Sequence, residues 1–208
     1  MAPRSIGEVQ MTDANSSRRF VSRAGEKLRH ALDVFGTAPF GVDPAGCVCA
    51  DLGSNVGGFV DCLLQAGAAK VYAVERGYGV VDYALRNDPR VVVKERADAR
   101  LVRLPEPVEL VTIDAGWTRQ TEILPAALRL LKPDGRIISL IKPHYEAPAD
   151  VLSDGVVDVA ALDDVLERVR KAIAGLSPGL RIAGETESPI QGQGGNREFL
   201  WLLVPDGA

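Results

Sequence analysis

The chain predicts a Rossmann-like α/β fold: a mostly parallel, doubly wound sheet with an antiparallel strand added at its C-terminal end. Three observations carry that expectation. An apolar run, Val48 to Ala50, passes through Asp51-Leu52-Gly53-Ser54-Asn55-Val56-Gly57-Gly58-Phe59 into an amphipathic stretch ending at Ala66. That pattern reads as strand, tight glycine turn and helix. Beyond it strand and helix patterns alternate, as parallel crossovers require. Two final strand-like runs, about 180–186 and 198–204, flank Gly192-Gln193-Gly194-Gly195-Asn196, a glycine-rich return.

The elements follow in order. Residues 1–16 are polar without a period and read as a disordered tail; residues 17–205 read as one domain. A basic helix over 17–35 is expected from Phe20, Val21, Ala24, Leu28, Ala31, Leu32 and Phe35 at helical spacing, with Ser16 or Ser17 as cap and Gly36 as stop. The connector Thr37 to Gly46 delivers the first strand. Strand 70–74, helix 79–86, strands 90–94 and 108–113, helix 121–131 and strand 136–141 come next, with Leu131-Lys132-Pro133-Asp134-Gly135 as the turn between the last two. Residues 148–157 read as a loop, and Asp158 to Ala174 as a charged amphipathic helix.

Composition excludes several classes. No stretch approaches the ~20 apolar residues of a membrane span, and Met1 to Ser17 has no apolar core for a signal peptide, so the expected location is cytoplasmic. Cys47, Cys49 and Cys62 form no even framework, and His30 and His144 supply no ligand spacing, so all three thiols are expected in the core and no metal is expected. Nothing in the sequence fixes an oligomeric state. The net charge of −4 hides an asymmetry. Arg18 to His30 holds five basic residues against Glu26, and the remainder carries 19 basic against 27 acidic residues. A basic segment on an acidic body is a candidate phosphate-contact surface.

The glycine turn suggests a nucleoside ligand. Its G-x-x-x-G-G spacing, preceded by Asp51, departs from the G-x-G-x-x-G arrangement suited to dinucleotide pyrophosphate. An acid there suits the cationic amino-acid end of S-adenosyl-L-methionine, which argues against a nicotinamide dehydrogenase. Glu75 ends the next strand, 22 residues beyond Gly53, where an acid can take ribose hydroxyls. Asp98, after the third strand, could reach the adenine. The expected cofactor set is Asp51, Gly53, Ser54, Gly57, Gly58, Phe59, Glu75, Asp98 and Asp114. Ligands of such sheets lie outside the carboxyl ends of the strands. Asp114 closes one strand, Lys142 another, and Glu198 opens a last strand that should run the other way and so start at the same rim. A lysine after a buried aliphatic run is desolvated, which favours its neutral amine.

These residues resemble a family. Val21-Ser22-Arg23-Ala24-Gly25-Glu26-Lys27-Leu28, Asp51 to Phe59, Val71 to Gly79, Leu140-Ile141-Lys142-Pro143-His144-Tyr145-Glu146 and Gly195-Asn196-Arg197-Glu198-Phe199-Leu200 are similar to the FtsJ-like RNA ribose methyltransferases, and within them the TlyA branch. The resemblance spans about 20–204 and implies a class I S-adenosylmethionine-dependent methyltransferase. It further implies a Lys-Asp-Lys-Glu tetrad carried by Lys27, Asp114, Lys142 and Glu198, with Lys142 as general base for a ribose 2′-hydroxyl. The implied partner is structured, possibly ribosomal, RNA, contacted through Arg18, Arg19, Arg23 and Arg29. Two features depart from the pattern. The branch usually carries an N-terminal S4-type RNA-binding domain, whereas this chain begins almost directly at the methyltransferase helix. Where the family continues D-x-S-F, this chain has Asp114-Ala115-Gly116-Trp117, and Trp117 could stack on a flipped base or pack beneath its loop. His144 and Tyr145 read as loop residues beside the site. The rival functions are a small-molecule methyltransferase of the same fold and a non-enzymatic RNA-binding or assembly factor. The family's haemolysin association finds no amphipathic pore-forming segment here.

Overall fold

A computed structural model describes residues 19–176 and 179–206. The expected tail, 1–16, and the first positions of the basic segment, Ser17 and Arg18, lie outside the described residues. The elements are α1 (Ala24–Phe35), β1 (Val48–Leu52), α2 (Gly58–Gln65), β2 (Lys70–Val74), α3 (Tyr83–Arg86), β3 (Val91–Lys94), β4 (Val108–Ile113), α4 (Gln120–Leu130), β5 (Leu131–Ile141), α5 (Pro143–Glu146), β6 (Leu152–Ser153), β7 (Val156–Val157), α6 (Leu162–Ala174), β8 (Leu180–Glu187) and β9 (Phe199–Pro205).

Seven strands form one sheet in the order β3-β2-β1-β4-β5-β9-β8. The first five are mutually parallel, and β9 runs antiparallel to both β5 and β8. Both faces of β1 are covered, so its residues form a continuous buried run rather than an alternation. One face packs α1 and α2 through Leu28, Phe35, Phe59 and Leu63 over Cys49, Leu110 and Leu140. The other packs α4 and α6 through Ile123, Leu124, Val165 and Ile173 over Leu52, Val111 and Trp201.

Register decides what meets at the rim. Leu52 pairs with Val74 on one side and Ile113 on the other, so β2, β1 and β4 end level. The order reverses between β1 and β4, the crevice where such sheets bind ligands. Ile141 pairs with Phe199 in the antiparallel ladder, which sets Glu198, one residue earlier, beside the end of β5.

Several elements differ from expectation. The basic helix begins at Ala24, not Ser17. The preceding segment is tied to α2 instead: Val21 N–H donates to Asp61 Oδ2 at 2.8 Å and Gln65 Nε2 donates to the Arg19 carbonyl at 3.0 Å. The expected helix 79–86 shortens to Tyr83–Arg86, because Gly79 and Val80 N–H groups donate to Glu95 and hold an open loop. Residues 131–135 continue β5, with a register shift between Val108 and Leu110, rather than forming a separate turn. The loop 148–157 contains the hairpin β6–β7, turned by Asp154 and Gly155 at φ 50° and 78°. The helix expected from Asp158 starts at Leu162. Cys49 and Cys62 are core residues, but Cys47 is only half-buried and donates to the Asp43 carbonyl.

Candidate active site

At the rim lies a cavity of about 860 Å³ whose wall includes Gly53, Glu75 and Asp98 on one side and Lys27, Asp114, Lys142 and Glu198 on the other. The structure brings those seven expected residues together.

The four charged residues arrange as two ion pairs. Lys142 Nζ lies 2.6 Å from Asp114 Oδ1 and 3.4 Å from the Ala115 carbonyl oxygen. Lys27 Nζ pairs with Glu198 Oε2, with side-chain exposures of only 7% and 3%. Lys142 sits at the junction of β5 and α5, where Pro143 opens the short helix. Glu146, at the other end of α5, accepts from the Gln120 N–H at 2.7 Å, pinning that helix to α4. Gly192 packs so closely on the Glu198 carboxylate that a Cβ would collide with it.

The opposite wall is shaped by the glycine turn. Gly53 has φ +89°, and a Cβ there would lie 2.9 Å from the Asp114 carbonyl oxygen. Three successive N–H groups of the turn are engaged within the fold. Gly53 and Ser54 donate to the Val74 carbonyl, and Asn55 donates to Glu75 Oε2 at 2.7 Å. Gly77 N–H holds the other oxygen of Glu75 at 2.6 Å. The carboxylate is thereby fixed at the wall, with a second lone pair on each oxygen left to accept a further hydrogen bond. Asp98 is held by Arg100, whose guanidinium and N–H bring its carboxyl down to about 2.

Five expected cofactor residues do not line the cavity. Ser54 is buried and donates to the Asp51 carbonyl. Gly57, at φ +108°, packs against Leu85, and Gly58 against Ser22 and Gly25. Phe59 belongs to the core. These four shape the turn and seat α2 without touching the cavity. Asp51 is fully buried: Thr112 Oγ1 donates to its Oδ1 at 2.7 Å, and Oδ2 has no partner. Burial, with the nearby Asp114 and Glu75 carboxylates adding to it, pushes Asp51 up to about 7.

Of the expected RNA contacts, Arg18 is outside the described residues and Arg29 is committed to Asp33 one turn on. Arg19 is exposed, its guanidinium over the Phe20 ring at 5.2 Å. Arg23 is exposed and lines the cavity. Trp117 does not pack beneath its loop. It is 89% exposed and tilts over Tyr145 with ring centroids 5.1 Å apart. His144 lies on α5, lines the cavity, and has a buried Nδ1 without a partner. Burial lowers its pKa, opposed by Glu198 and helped by Lys142 and Lys27.

Asn196 is a wall residue that sequence reasoning quotes in a motif without assigning it to the site. Its Oδ1 accepts from Val157 N–H at 3.1 Å and its Nδ2 donates to the Gly155 carbonyl at 2.9 Å. It so ties the segment before Glu198 to the β6–β7 hairpin. Among the described residues, no group of three or more His, Cys, Asp or Glu is placed to hold a metal.

The fit to a cationic nucleoside cofactor is good. A glycine turn packs against the Asp114 backbone at the sheet's switch point, Glu75 is fixed on the cavity wall, and three carboxyls (Asp51, Glu75 and Asp114) gather at the ends of adjacent strands.

Sheet order, antiparallel β9 and the placement of the cavity define the fold of S-adenosylmethionine-dependent methyltransferases. The same fold is seen in ribosomal protein L11 methylase from Lactobacillus delbrueckii subsp. bulgaricus, at 15% identity and TM-score 0.59 over 86% of this chain and 79% of that one. A hemolysin candidate from Streptococcus thermophilus, 33% identical, matches with TM-score 0.84 over 93% of this chain and 70% of that one.

The model of the FtsJ-like methyltransferase family matches residues 20–204, and the chain belongs to that family; it is a methyltransferase. It is similar to the 16S/23S rRNA (cytidine-2′-O)-methyltransferase TlyA of Mycobacterium tuberculosis, with 37% identity over 90% of this chain and 70% of the relative. The 23S rRNA (cytidine-2′-O)-methyltransferase TlyA of Campylobacter jejuni is 30% identical over 90% of this chain and 72% of its own length. Hemolysin A of Brachyspira hyodysenteriae is 36% identical over 88% and 75%. Among the described residues, no helix is long and apolar enough to cross a membrane.

Proposed function

We propose that this methyltransferase uses S-adenosyl-L-methionine to methylate a ribose 2′-hydroxyl in structured, ribosomal RNA, with Lys27, Asp114, Lys142 and Glu198 as its catalytic tetrad. The observation that carries this reading is the meeting of those four side chains, as two ion pairs, on the cavity wall facing Gly53 and Glu75. The similarity to enzymes named as rRNA (cytidine-2′-O)-methyltransferases supports the acceptor.

When bound, the cofactor supplies an electrophilic methyl group on a sulfonium. Glu75 would hold its ribose and Asp98 would take its adenine, while Gly53 lets the turn pack tightly on the Asp114–Ala115 backbone beside them. Lys142, once the proton of its ion-paired ammonium has left to solvent, meets the acceptor hydroxyl as a neutral amine and takes its proton as the oxygen attacks. Its partner Asp114 orients the amine and stabilises the ammonium that results. Lys27 and Glu198 hold the hydroxyl from the other side. Fixed by burial, this second pair aligns the two reactants without reorganising. At the mouth, exposed Trp117 on Tyr145 offers a face on which an unpaired base can stack. Exposed Arg19 and Arg23 offer charge to the phosphate backbone.

The test is transfer of a labelled methyl group to total RNA and to a small-molecule extract, side by side. Label in RNA that survives alkaline hydrolysis as a 2′-O-methylated dinucleotide is the expected result; label confined to small molecules refutes the acceptor. Lys142→Ala should retain cofactor binding yet lower single-turnover methylation by ~10²–10⁴. Lys142→Arg should recover little of that, since a guanidinium does not give up its proton. A near-parental Lys142→Arg enzyme would exclude proton abstraction by this residue.

A further inference from the structure

Asp51 takes no direct part in the chemistry described above, yet it is a fully buried carboxyl at the switch point of the sheet. It lies in β1 two residues before Gly53, with no solvent exposure. One carboxyl oxygen accepts from Thr112 and the other has no partner. A buried oxygen without a donor is a poor host for negative charge and a good one for a proton.

The charged groups around it are mostly of the same sign. Asp114 and Glu75 close the neighbouring strands β4 and β2, and both line the cavity. Cys49 lies on its own strand, its thiol pushed up by burial. Lys142, at the end of β5, is paired with Asp114. The Ser54 hydroxyl, beside the carboxyl at the start of the turn, offsets part of this repulsion, as Thr112 does.

We propose that Asp51 is a specificity-determining residue of the cofactor site, which favours the sulfonium cofactor over its neutral thioether product by losing a proton when the cation binds. The inference rests on the S-adenosylmethionine reading above. A cation placed over this group of carboxyls stabilises the ionised form of Asp51, so its proton leaves to solvent as the ligand enters. Methyl transfer breaks the C–S bond and turns the sulfonium into a thioether, removing that charge. Asp51 then takes a proton back from solvent, and the site no longer favours its occupant electrostatically. The carboxyl's position at about 7 places this exchange near neutrality.

Titration calorimetry of S-adenosylmethionine into the protein at pH 7, in buffers of different ionisation enthalpy, counts the protons released. A carboxyl half-ionised at that pH gives release of about half a proton per site, and affinity should rise about fivefold from pH 6 to pH 7. S-adenosylhomocysteine should release markedly less and bind with a flatter profile. Asp51→Asn, which preserves shape and can still accept from Thr112, should abolish the release and flatten the profile for the sulfonium ligand. Loss of that slope in Asp51→Asn separates Asp51 from His144, a titratable group of the cavity wall whose pKa burial shifts downward. If S-adenosylmethionine binds with no proton exchange and unchanged affinity across this range, Asp51 is refuted while the cofactor reading stands. If it does not bind, both fall. Should Asp51→Asn fold poorly, the same proton count on His144→Gln, which leaves Asp51 in place, decides the matter: retained release supports Asp51 and lost release overturns it.

Discussion

Glu198→Gln tests whether the buried half of the proposed tetrad serves stability or chemistry. The Lys27–Glu198 pair is 7% and 3% exposed at its side chains, so solvent screens it little. Removing the carboxylate charge leaves the Lys27 ammonium buried and uncompensated, which costs about 3–5 kcal/mol. Lys27→Met leaves the Glu198 carboxylate in the same position and should cost a similar amount. Lys27→Met/Glu198→Leu removes both charges and both desolvation penalties, and should lie within about 1 kcal/mol of the parent. Urea denaturation followed by circular dichroism measures all four proteins, with an unchanged slope required for the comparison. His144 gives an independent readout. The Glu198 charge raises its pKa, so in Glu198→Gln its titration midpoint, followed by NMR, should fall further. The double variant should be folded yet inactive, showing that the pair is retained for the reaction. A Glu198→Gln protein within 1 kcal/mol of the parent, or a double variant as unstable as the two singles combined, would refute this reasoning.

Other expectations follow from single contacts. Asp51, held at about 7 against an ordinary 3.8, destabilises the ligand-free fold increasingly as pH rises through that window. Asp51→Asn should therefore gain stability over the parent between pH 4 and pH 8, by up to about 4 kcal/mol; a pH-independent difference in denaturation free energy would contradict it. Gly57→Val should lower the melting temperature as well as cofactor affinity, because φ +108° and the contact with Leu85 both exclude a branched side chain. Full thermal stability with binding lost would instead place Gly57 against the ligand. Arg19→Ala/Arg23→Ala should reduce the slope of log RNA affinity against log salt by about 1.4, while Arg29→Ala, already paired with Asp33, should leave it near the parent. Equal slopes in all three proteins would remove this surface from RNA docking.

The sheet was legible because its strands are apolar on both faces and bounded by turn chemistry: 70–74 and 108–113 match β2 and β4 residue for residue. The start of α1 was not, since Phe20 and Val21 continue its helical spacing. What excludes them is a pair of side chains, Asp61 and Gln65, from a helix 40 residues further on. Nothing local encodes that competition. The glycine turn was legible as a turn, but the partners of its N–H groups were not. Its N–H groups are engaged by Val74 and Glu75 from the neighbouring strand, partners that exist only once the sheet has formed. Gly57 and Gly58 answer to Leu85 and Ser22, packing neighbours that no spacing rule specifies.

The meeting of the tetrad side chains depends on the direction of one strand. Lys142 and Asp114 follow parallel strands and reach the rim by the same rule that places Glu75. Glu198 precedes its strand, so it reaches that rim only because β9 runs antiparallel between β5 and β8. A parallel β9 would carry it to the far edge of the sheet. The residue order, acid before the apolar run instead of after it, was therefore readable as a statement about strand direction. The pairing within the tetrad was not readable, because Lys27 comes from a helix that crosses over the α2 face, and only packing fixes how far its amine extends. That packing, with α1 resting on α2 through Gly25 and Gly58, makes a glycine contact outside the cavity wall a determinant of where Lys27 meets Glu198.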